Sequence, residues 1–219
     1  MALLEFQNVS FGSQDELILK DISFKVKSGD FISVVGPSGS GKITLLRLCS
    51  HLISPNSGEI LLNGKCCQQY DPVEWRKNVH YCFQTPCLFG QSVMDNMEFP
   101  YTIRKMKPDL TRIQTLFSLF SMSPDYLKRD IKNLSGGEKQ RIVLIRSMIF
   151  MPKILLLDEV TSALDVDNTQ IVEKAIASLN QEGVTILWVT HNPEQSMKYA
   201  NKLLSIDCGK IKSFEEVIK

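Results

Sequence analysis

The first part of the chain alternates apolar and polar residues. Residues 3–9 and 22–26 have the period of two that is typical of strands with one buried face. Residues 31–35 (FISVV) are apolar on both faces, as in a central parallel strand, and a helix is predicted from residue 42 to 50 after the glycine-rich segment that follows. The pattern predicts an antiparallel, β-rich start that leads into a strand, a loop and a helix.

Two local signals place the next elements. Asn63-Gly64 follows the apolar residues 60–62 and is a strong hairpin turn signal. Asp71-Pro72 is typical of a helix N-cap with proline at the first helical position.

The apolar spacing becomes helical between residues 92 and 133. Prolines are expected to interrupt the helices there, and the spacing predicts an inserted helical subdomain. The apolar residues at helical spacing and the three prolines are Ile113, Leu116, Phe117, Phe120, Pro100, Pro108 and Pro124.

Three later apolar segments predict further strands of a sheet. These strands are expected at residues 154–157, 185–189 and 203–206, and a helix is predicted over residues 136–149. The fold class predicted from the whole pattern is therefore α/β.

Composition limits the possible partners. A chain of 219 residues is long enough for one substantial domain with a buried core. Its formal net charge of +1, from 25 basic and 24 acidic side chains, gives no reason to expect nucleic acid as a partner. Since the chain contains neither an apolar run of about 18 residues nor a signal-like start, it is expected to remain in the cytoplasm.

The six cysteines are expected to be free thiols, because they lack CxxC spacing. A zinc site formed by some of them with His80 is an alternative, but small buried apolar side chains are the favoured interpretation. The cysteines are Cys49, Cys66, Cys67, Cys82, Cys87 and Cys208.

Residues 36–42 (GPSGSGK) form a glycine-rich loop between a predicted strand and a predicted helix. Such a loop directs backbone N–H groups and a helix N-terminus at phosphate, and Lys42 adds a positive charge between the β- and γ-phosphates. The sequence therefore predicts ATP binding. The residues assigned to the nucleotide here are Gly36, Pro37, Ser38, Gly39, Ser40, Gly41, Lys42, Ile43 and Thr44.

Asp158 and Glu159 end the apolar segment ILLLDE. Strand ends of this kind lie at the edge of the sheet where α/β folds hold their ligands. Asp158 is expected to hold Mg²⁺ through its water shell, and Glu159 to orient the attacking water. An N-cap for the next helix is the structural alternative.

Between these two motifs lies LSGGEKQR, at residues 134–141. This order of motifs identifies the chain as a member of the ABC-type ATPases. The resemblance implies that Ser135, Gly136 and Gly137 contact the γ-phosphate bound to an opposite subunit, so that two copies pair head to tail as a homodimer.

Four more residues are similar to functional positions of that family. Gln84, in YCFQTP, is implied to contact Mg²⁺ and the attacking water, and His191, in WVTHN, to contact the γ-phosphate. Asp165, in SALD, is implied to lie against the partner subunit. Phe11 is the expected adenine-stacking residue, although Phe6 is nearby and an aromatic residue on such a strand also suits the core.

Ile43 departs from the family pattern, in which a serine or threonine hydroxyl follows the lysine and coordinates magnesium. One residue along a helix turns a side chain by about 100°, so Thr44 is not expected to replace the missing oxygen. We therefore expect weak metal positioning and slow ATP turnover.

Three stretches resemble the ATP-binding subunit of the Fet-type iron-export transporters of bacteria. They are YCFQTPCLFGQSVMDNMEFP, FMPKILLLDEVTSALD and LWVTH. The resemblance implies an ATPase on the cytoplasmic face of the cell membrane, docked on a separate integral membrane permease that moves iron outward. Because the loop of Gln84 leads into the helical insert, we expect the permease to dock in a groove lined by residues 86–93, with Phe89 as an apolar anchor.

The expected organisation is one ABC ATPase domain over residues 1–219. Residues 1–83 and 150–219 form the nucleotide-binding core, and residues 84–149 contain the glutamine loop, the helical subdomain and the LSGG motif. Two alternative functions are a nucleotide-binding switch that does not hydrolyse ATP and an ABC ATPase with no role in transport. Ile43 favours the first, and the short chain argues against the second.

Overall fold

The computed structural model describes residues 1–13, 16–190 and 192–217. The chain divides into two compact units. Unit 1 comprises Met1–Tyr81, Pro152–Glu159 and Asn180–Lys219, and unit 2 comprises Cys82–Met151 and Val160–Leu179.

One sheet has the order β2-β1-β4-β5. Its antiparallel strands are β1 (Leu4–Gly12), β2 (Leu17–Val26), β4 (Ser57–Leu62) and β5 (Lys65–Cys66). The predicted hairpin between β4 and β5 is present, and Asn63 and Gly64 both have the positive φ that such a turn requires.

The second sheet has the order β10-β9-β3-β8-β7-β6. Its strands are β3 (Phe31–Val35), β6 (Val79–Cys82), β7 (Ile154–Asp158), β8 (Thr185–Val189), β9 (Lys202–Asp207) and β10 (Lys210–Glu216). Strand β3 pairs in parallel with β8 and β9, which confirms its predicted central position. Strand β10 was not predicted; it returns antiparallel to β9 through Cys208 and Gly209, both at positive φ.

Three helices in unit 1 flank these strands. They are α1 (Lys42–Cys49), α2 (Pro72–Asn78) and α7 (Pro193–Tyr199). The Asp71 side chain accepts hydrogen bonds from the N–H groups of Val73 and Glu74, which confirms the predicted cap of α2. Apolar residues of both sheets and of α1 form the core of this unit.

Unit 2 is helical. It contains α3 (Val93–Thr102), α4 (Leu110–Leu119), α5 (Gly136–Met148) and most of α6 (Val166–Gln181), with short 3₁₀ turns at Pro124–Lys128 and Ile131–Asn133. The expectation that Pro100 interrupts a helix is wrong, because Pro100 lies inside α3. It stands in the last turn, so its ring removes one helical hydrogen bond, to the carbonyl four residues earlier, close to the point where the helix ends.

The predicted α/β fold is confirmed. The interpretation of the cysteines near His80 as small buried apolar side chains is wrong for Cys87, which is exposed, and for Cys66, which is partly exposed. None of the helices in the described part of the chain has the length and apolar character needed to cross a membrane.

Candidate functional site

The glycine-rich loop connects β3 to α1 through three glycines at positive φ. Gly36, Gly39 and Gly41 have φ values of 150°, 77° and 103°. A Cβ atom on Gly36 would lie 2.0 Å from the carbonyl oxygen of Ile206, so no other residue fits there. Gly41 is the N-cap of α1 and provides no side-chain cap, so the first N–H groups of the helix remain available to a phosphate.

Lys42 folds back over this loop. Its Nζ donates hydrogen bonds to the carbonyl oxygens of Gly36 and Pro37, both at 2.8 Å, and the residue is 5% exposed. Burial lowers the pKa of Lys42, while the nearby carboxylates of Glu159 and Asp158 act in the opposite direction. The predicted lysine and the two predicted acids therefore belong to one electrostatic site.

Asp158 ends β7 and is almost completely buried. Its Oδ2 accepts a hydrogen bond of 2.6 Å from the hydroxyl of Tyr81, whereas its Oδ1 is buried with no hydrogen-bond partner among the described residues. Burial raises the pKa of Asp158, and the negative charge of Glu159 raises it further. Burial and the bond to Asp158 also raise the pKa of Tyr81, so the phenol stays protonated.

Glu159 follows directly in a left-handed conformation, with φ of 47°. Its N–H donates to the carbonyl oxygen of Val189 at 3.0 Å, which fixes the backbone at the edge of the sheet. A glutamate rarely adopts this conformation, and such strain concentrates at functional sites.

The side chains around the phosphate loop fit a magnesium ion in one respect, at Asp158, and fail to fit it in another, at Ile43. A buried carboxylate oxygen without a partner is suited to a cation or its water shell, since leaving it unsatisfied is costly. Ile43 is 36% exposed at the first turn of α1 and has no oxygen to offer. The described residues contain no group of three or more His, Cys, Asp or Glu side chains that could hold a metal by themselves.

Phe11 and His191 are the residues predicted to contact the adenine and the γ-phosphate. Phe11 is partly buried against the core and lies opposite Leu19, whose side chain is next to Gly41. It is therefore one strand away from the phosphate loop, where adenine stacking stays a prediction. His191 lies outside the described residues.

In unit 2, Ser135 is the N-cap of α5. Its hydroxyl accepts from the N–H of Glu138 at 3.3 Å, and the carboxylate of Glu138 accepts from the N–H of Ser135 at 2.7 Å. Gly136 has open space where a Cβ would lie. The Ser135 hydroxyl and the N-terminus of α5 therefore lie together, as the sequence predicts for a phosphate contact, and this contact stays a prediction.

Asp165 has a structural role within unit 2, and its contact with a partner subunit stays a prediction. Its carboxylate accepts from the backbone N–H of Asn168 at 2.8 Å and from the side-chain amide of the same residue. Asn168 accepts in turn from Arg141 of α5 at 2.5 Å and would contact a Cβ on Gly137. The start of α6 is therefore joined to the LSGG helix within unit 2.

The comparisons with known proteins decide the family. The family model described as "ABC transporter" matches residues 19–162. The chain belongs to the ABC transporter family. ATP hydrolysis is the activity of this ABC ATPase family, and the predicted ATP-binding, ATP-hydrolysing class is confirmed.

Curated relatives agree with this ABC assignment. The chain is 43% identical to the "Probable iron export ATP-binding protein FetA" of Escherichia coli K12 over 205 residues, which are 93% of this chain and 91% of that protein. It is 36% identical to the "Spermidine/putrescine import ATP-binding protein PotA" of Mycoplasma mycoides, of which it spans 60%.

Solved ABC structures share the fold. "Dimeric Structure of MJ0796, a Bacterial ABC Transporter Cassette" has a TM-score of 0.84 at 26% identity and covers 99% of both chains. "Structure of a bacterial Atm1-family ABC exporter with ATP bound" has a TM-score of 0.86 at 26% identity and covers 97% of this chain and 38% of that one.

Residues 86–93, the segment predicted to dock on a permease, are held in place by contacts within unit 2. Asn96, fully buried on α3, accepts from the N–H of Phe89 and donates to its carbonyl oxygen, and it also accepts from Arg146 of α5. The ring of Phe89 lies against Phe99 and under the guanidinium of Arg146. Phe89 is therefore only partly exposed, whereas Phe99 is 43% exposed.

Sequence reasoning missed several residues that support the ABC motifs. Tyr81, Asn96 and Asn168 act through partners that lie far away in sequence. Gln84 was predicted, but its observed contact within unit 2, from Nε2 to the hydroxyl of Ser162 at 3.3 Å, was not. In the sequence, only their position near a motif could have drawn attention to the three supporting side chains.

Proposed function

We propose that the chain is the ATP-hydrolysing subunit of an ABC exporter that moves iron through a separate integral membrane permease. The observation that carries the hydrolytic part is the cluster of Lys42, Asp158 and strained Glu159 beside a loop that only glycine can form. The iron part is supported by the 43% identity to FetA, which extends over 91% of that protein.

Each residue of the site has a separate role in the binding and hydrolysis of ATP. The loop amides and Lys42 bind the phosphates, while Asp158 and Gln84 would hold Mg²⁺ and Glu159 would orient water at the γ-phosphate. Bound magnesium supplies charge stabilisation to the phosphates. His191 is the proposed γ-phosphate contact, and Phe11 the proposed adenine contact.

Two copies would complete each ATP site as a homodimer. In this arrangement Ser135, Gly136 and Gly137 of one copy face the phosphates held by the other, and Asp165 lies near the partner. The support is the first turn of α5, where the Ser135 hydroxyl and the N–H groups are presented beside open space at Gly136. The dimeric state of the MJ0796 cassette, at 26% identity, adds to it.

We also propose the position and organisation of the subunit. One ABC domain would place residues 1–83 and 150–219 in the nucleotide-binding core and residues 84–149 in the part that meets the permease. This part would dock at the cytoplasmic face of the membrane through the segment that Asn96 and Arg146 hold in place.

The test uses inverted membrane vesicles that contain the chain and its candidate permease. ATP should drive accumulation of radioactive iron in these vesicles, faster with Ile43→Ser than with the unmodified chain, and Glu159→Gln should abolish accumulation in both while the two subunits still co-purify. Vesicles that hydrolyse ATP at a permease-dependent rate without moving iron would contradict the substrate and leave the ATPase assignment intact.

A second candidate function is a nucleotide-binding switch that does not hydrolyse ATP. The observation that favours it is Ile43, since an exposed isoleucine occupies the place of a magnesium ligand. Tight ATP binding by the purified chain, with phosphate release no faster than in Glu159→Gln at any magnesium concentration, would establish this alternative.

A further inference from the structure

Tyr81 lies on β6, the strand next to β7 in the sheet. Its hydroxyl is 2.6 Å from Oδ2 of Asp158, although the two residues are 77 positions apart in sequence. A bond of this length to a carboxylate belongs to the strong, charge-assisted class. Tyr81 begins the stretch YCFQTP that contains Gln84, but no role was predicted from the sequence for the tyrosine itself.

The direction of this hydrogen bond follows from the chemistry of the acceptor. An ionised carboxylate has no proton to give, so the Tyr81 hydroxyl donates its single proton to Oδ2 of Asp158. The hydrogen bond therefore joins β6 to the end of β7.

The hydrogen bond from Tyr81 leaves the second oxygen of Asp158 available to another partner. Oδ2 is occupied by Tyr81, whereas Oδ1 is buried and has no hydrogen-bond partner among the described residues. A carboxylate that is fixed through one oxygen cannot rotate to offer the other oxygen in several directions. Partners of this kind orient metal ligands and tune their affinity.

Ile43 makes the orientation of Asp158 more important in this chain. Where the hydroxyl of a serine or threonine is missing, a larger share of the metal's positioning falls on the remaining ligands, and magnesium tolerates little departure from octahedral geometry. A freely rotating Asp158 would then be a poor ligand.

We propose that Tyr81 is a positioning residue that holds the Asp158 carboxylate so that Oδ1 receives the divalent cation or its water shell. The inference rests on the proposed function, because it assumes a nucleotide-bound cation at Asp158. It assigns Tyr81 no contact with the nucleotide.

The test measures metal and nucleotide binding separately on the full chain. Nucleotide affinity is measured by calorimetry with ADP in EDTA, and Mn²⁺ affinity by electron paramagnetic resonance with ADP present. Tyr81→Phe should weaken Mn²⁺ binding by about 10- to 100-fold and change ADP binding in EDTA by less than about twofold.

Tyr70→Phe is the matched control. The Tyr70 hydroxyl donates to the carbonyl oxygen of Leu62 at 3.1 Å. Leu62 ends β4, which belongs to the antiparallel sheet of the same unit. This variant loses one hydroxyl and one hydrogen bond, and it should change neither affinity. Thermal unfolding of each variant shows that the compared proteins are folded.

A double-mutant cycle tests whether Tyr81 acts through Asp158. Asp158→Asn should weaken Mn²⁺ binding, and adding Tyr81→Phe to it should cause no further loss. An equal loss from Tyr81→Phe in both backgrounds would overturn the inference, as would unchanged Mn²⁺ affinity in Tyr81→Phe while Asp158→Asn is weakened. Failure of the unmodified chain to bind ADP would instead overturn the proposed function and this inference with it.

Discussion

At the residue scale, the candidate phosphate site contains motifs that can be recognised in the sequence. It also contains a hydrogen bond to Asp158 that the sequence does not reveal. The glycines, Lys42 and Asp158 could be predicted because their chemistry depends on local order along the chain. The hydrogen bond from Tyr81 to Asp158 could not, because it joins residues that only the sheet brings together. Ile43 has no oxygen to offer a metal, and the slow turnover expected from it stays a prediction.

Ile43→Ser tests the consequence for catalysis. The variant should raise ATP turnover by about 10²- to 10⁴-fold, equivalent to about 3–5 kcal/mol of transition-state stabilisation. ATP affinity should change far less, since Lys42 and the loop amides bind the phosphates in the ground state. Phosphate release and nucleotide affinity are measured in parallel during a magnesium titration.

The control for this comparison is Ile43→Val, which shortens the side chain without adding an oxygen. It should turn over ATP at the rate of the unmodified chain. Equal turnover by the unmodified chain and by Ile43→Ser at limiting magnesium would show that the remaining ligands suffice to hold the metal.

At the element scale, unit 2 depends on side chains that cap helices and fix loops. Ser92 and Asp95 form a capping box at α3, Ser135 and Glu138 form another at α5, and Asp165 caps α6. Capping signals are local, so the helix starts at residues 72 and 136 were predicted from the sequence. Strand β10 was missed because its turn, Cys208-Gly209, is a weaker hairpin signal than Asn63-Gly64.

The cap at Asp95 predicts a dependence of stability on pH. Hydrogen bonds from the backbone N–H groups of Ser92 and Gln91 hold the pKa of Asp95 below its ordinary value of 3.8. Its stabilisation is therefore present above that value and is lost as the pH falls through the lower pKa of the folded state. Between about pH 6 and about pH 3, Asp95→Asn should lose less urea stability than the unmodified chain.

The matched control for that experiment is Asp21→Asn, at an aspartate of β2 that lies outside any helix. This variant removes one carboxylate that caps no helix, so a change in the pH profile that is seen in Asp95→Asn and not here is assigned to the cap. Parallel profiles for the unmodified chain and Asp95→Asn would contradict the role given to this cap.

Asn96 carries the second prediction at this scale. Its fully buried side chain joins Phe89, Ser92 and Arg146. Asn96→Ala should lower the free energy of unfolding by about 1–3 kcal/mol, because these polar groups lose their partner. Urea denaturation measures the change, and Asn133→Ala, at an exposed asparagine of the same unit, should stay within about 0.5 kcal/mol.

The same substitution bears on docking. If residues 86–93 contact the permease, loosening them through Asn96→Ala should reduce co-purification of the two subunits while leaving ATP affinity unchanged. Unchanged co-purification, with the loss of stability present, would place the docking surface elsewhere.

At the scale of the whole molecule, we propose that the chain contains two different phosphate-binding surfaces. One is the loop and α1 in unit 1, and the other is Ser135 with the start of α5 in unit 2. The order of the motifs predicted both surfaces and the family, and the family is confirmed. The pairing of the surfaces between two copies stays a prediction, because it depends on a second chain.

The central claim is that ATP closes a composite dimer, and the molar mass of the trapped subunit in solution tests it most directly. Light scattering with ATP and Mg²⁺, at roughly tens of micromolar protein, should give a dimer for Glu159→Gln in the Ile43→Ser background. Adding Ser135→Arg should return the protein to a monomer with ATP still bound. A monomer in the first case, with ATP bound, would contradict the composite-site account.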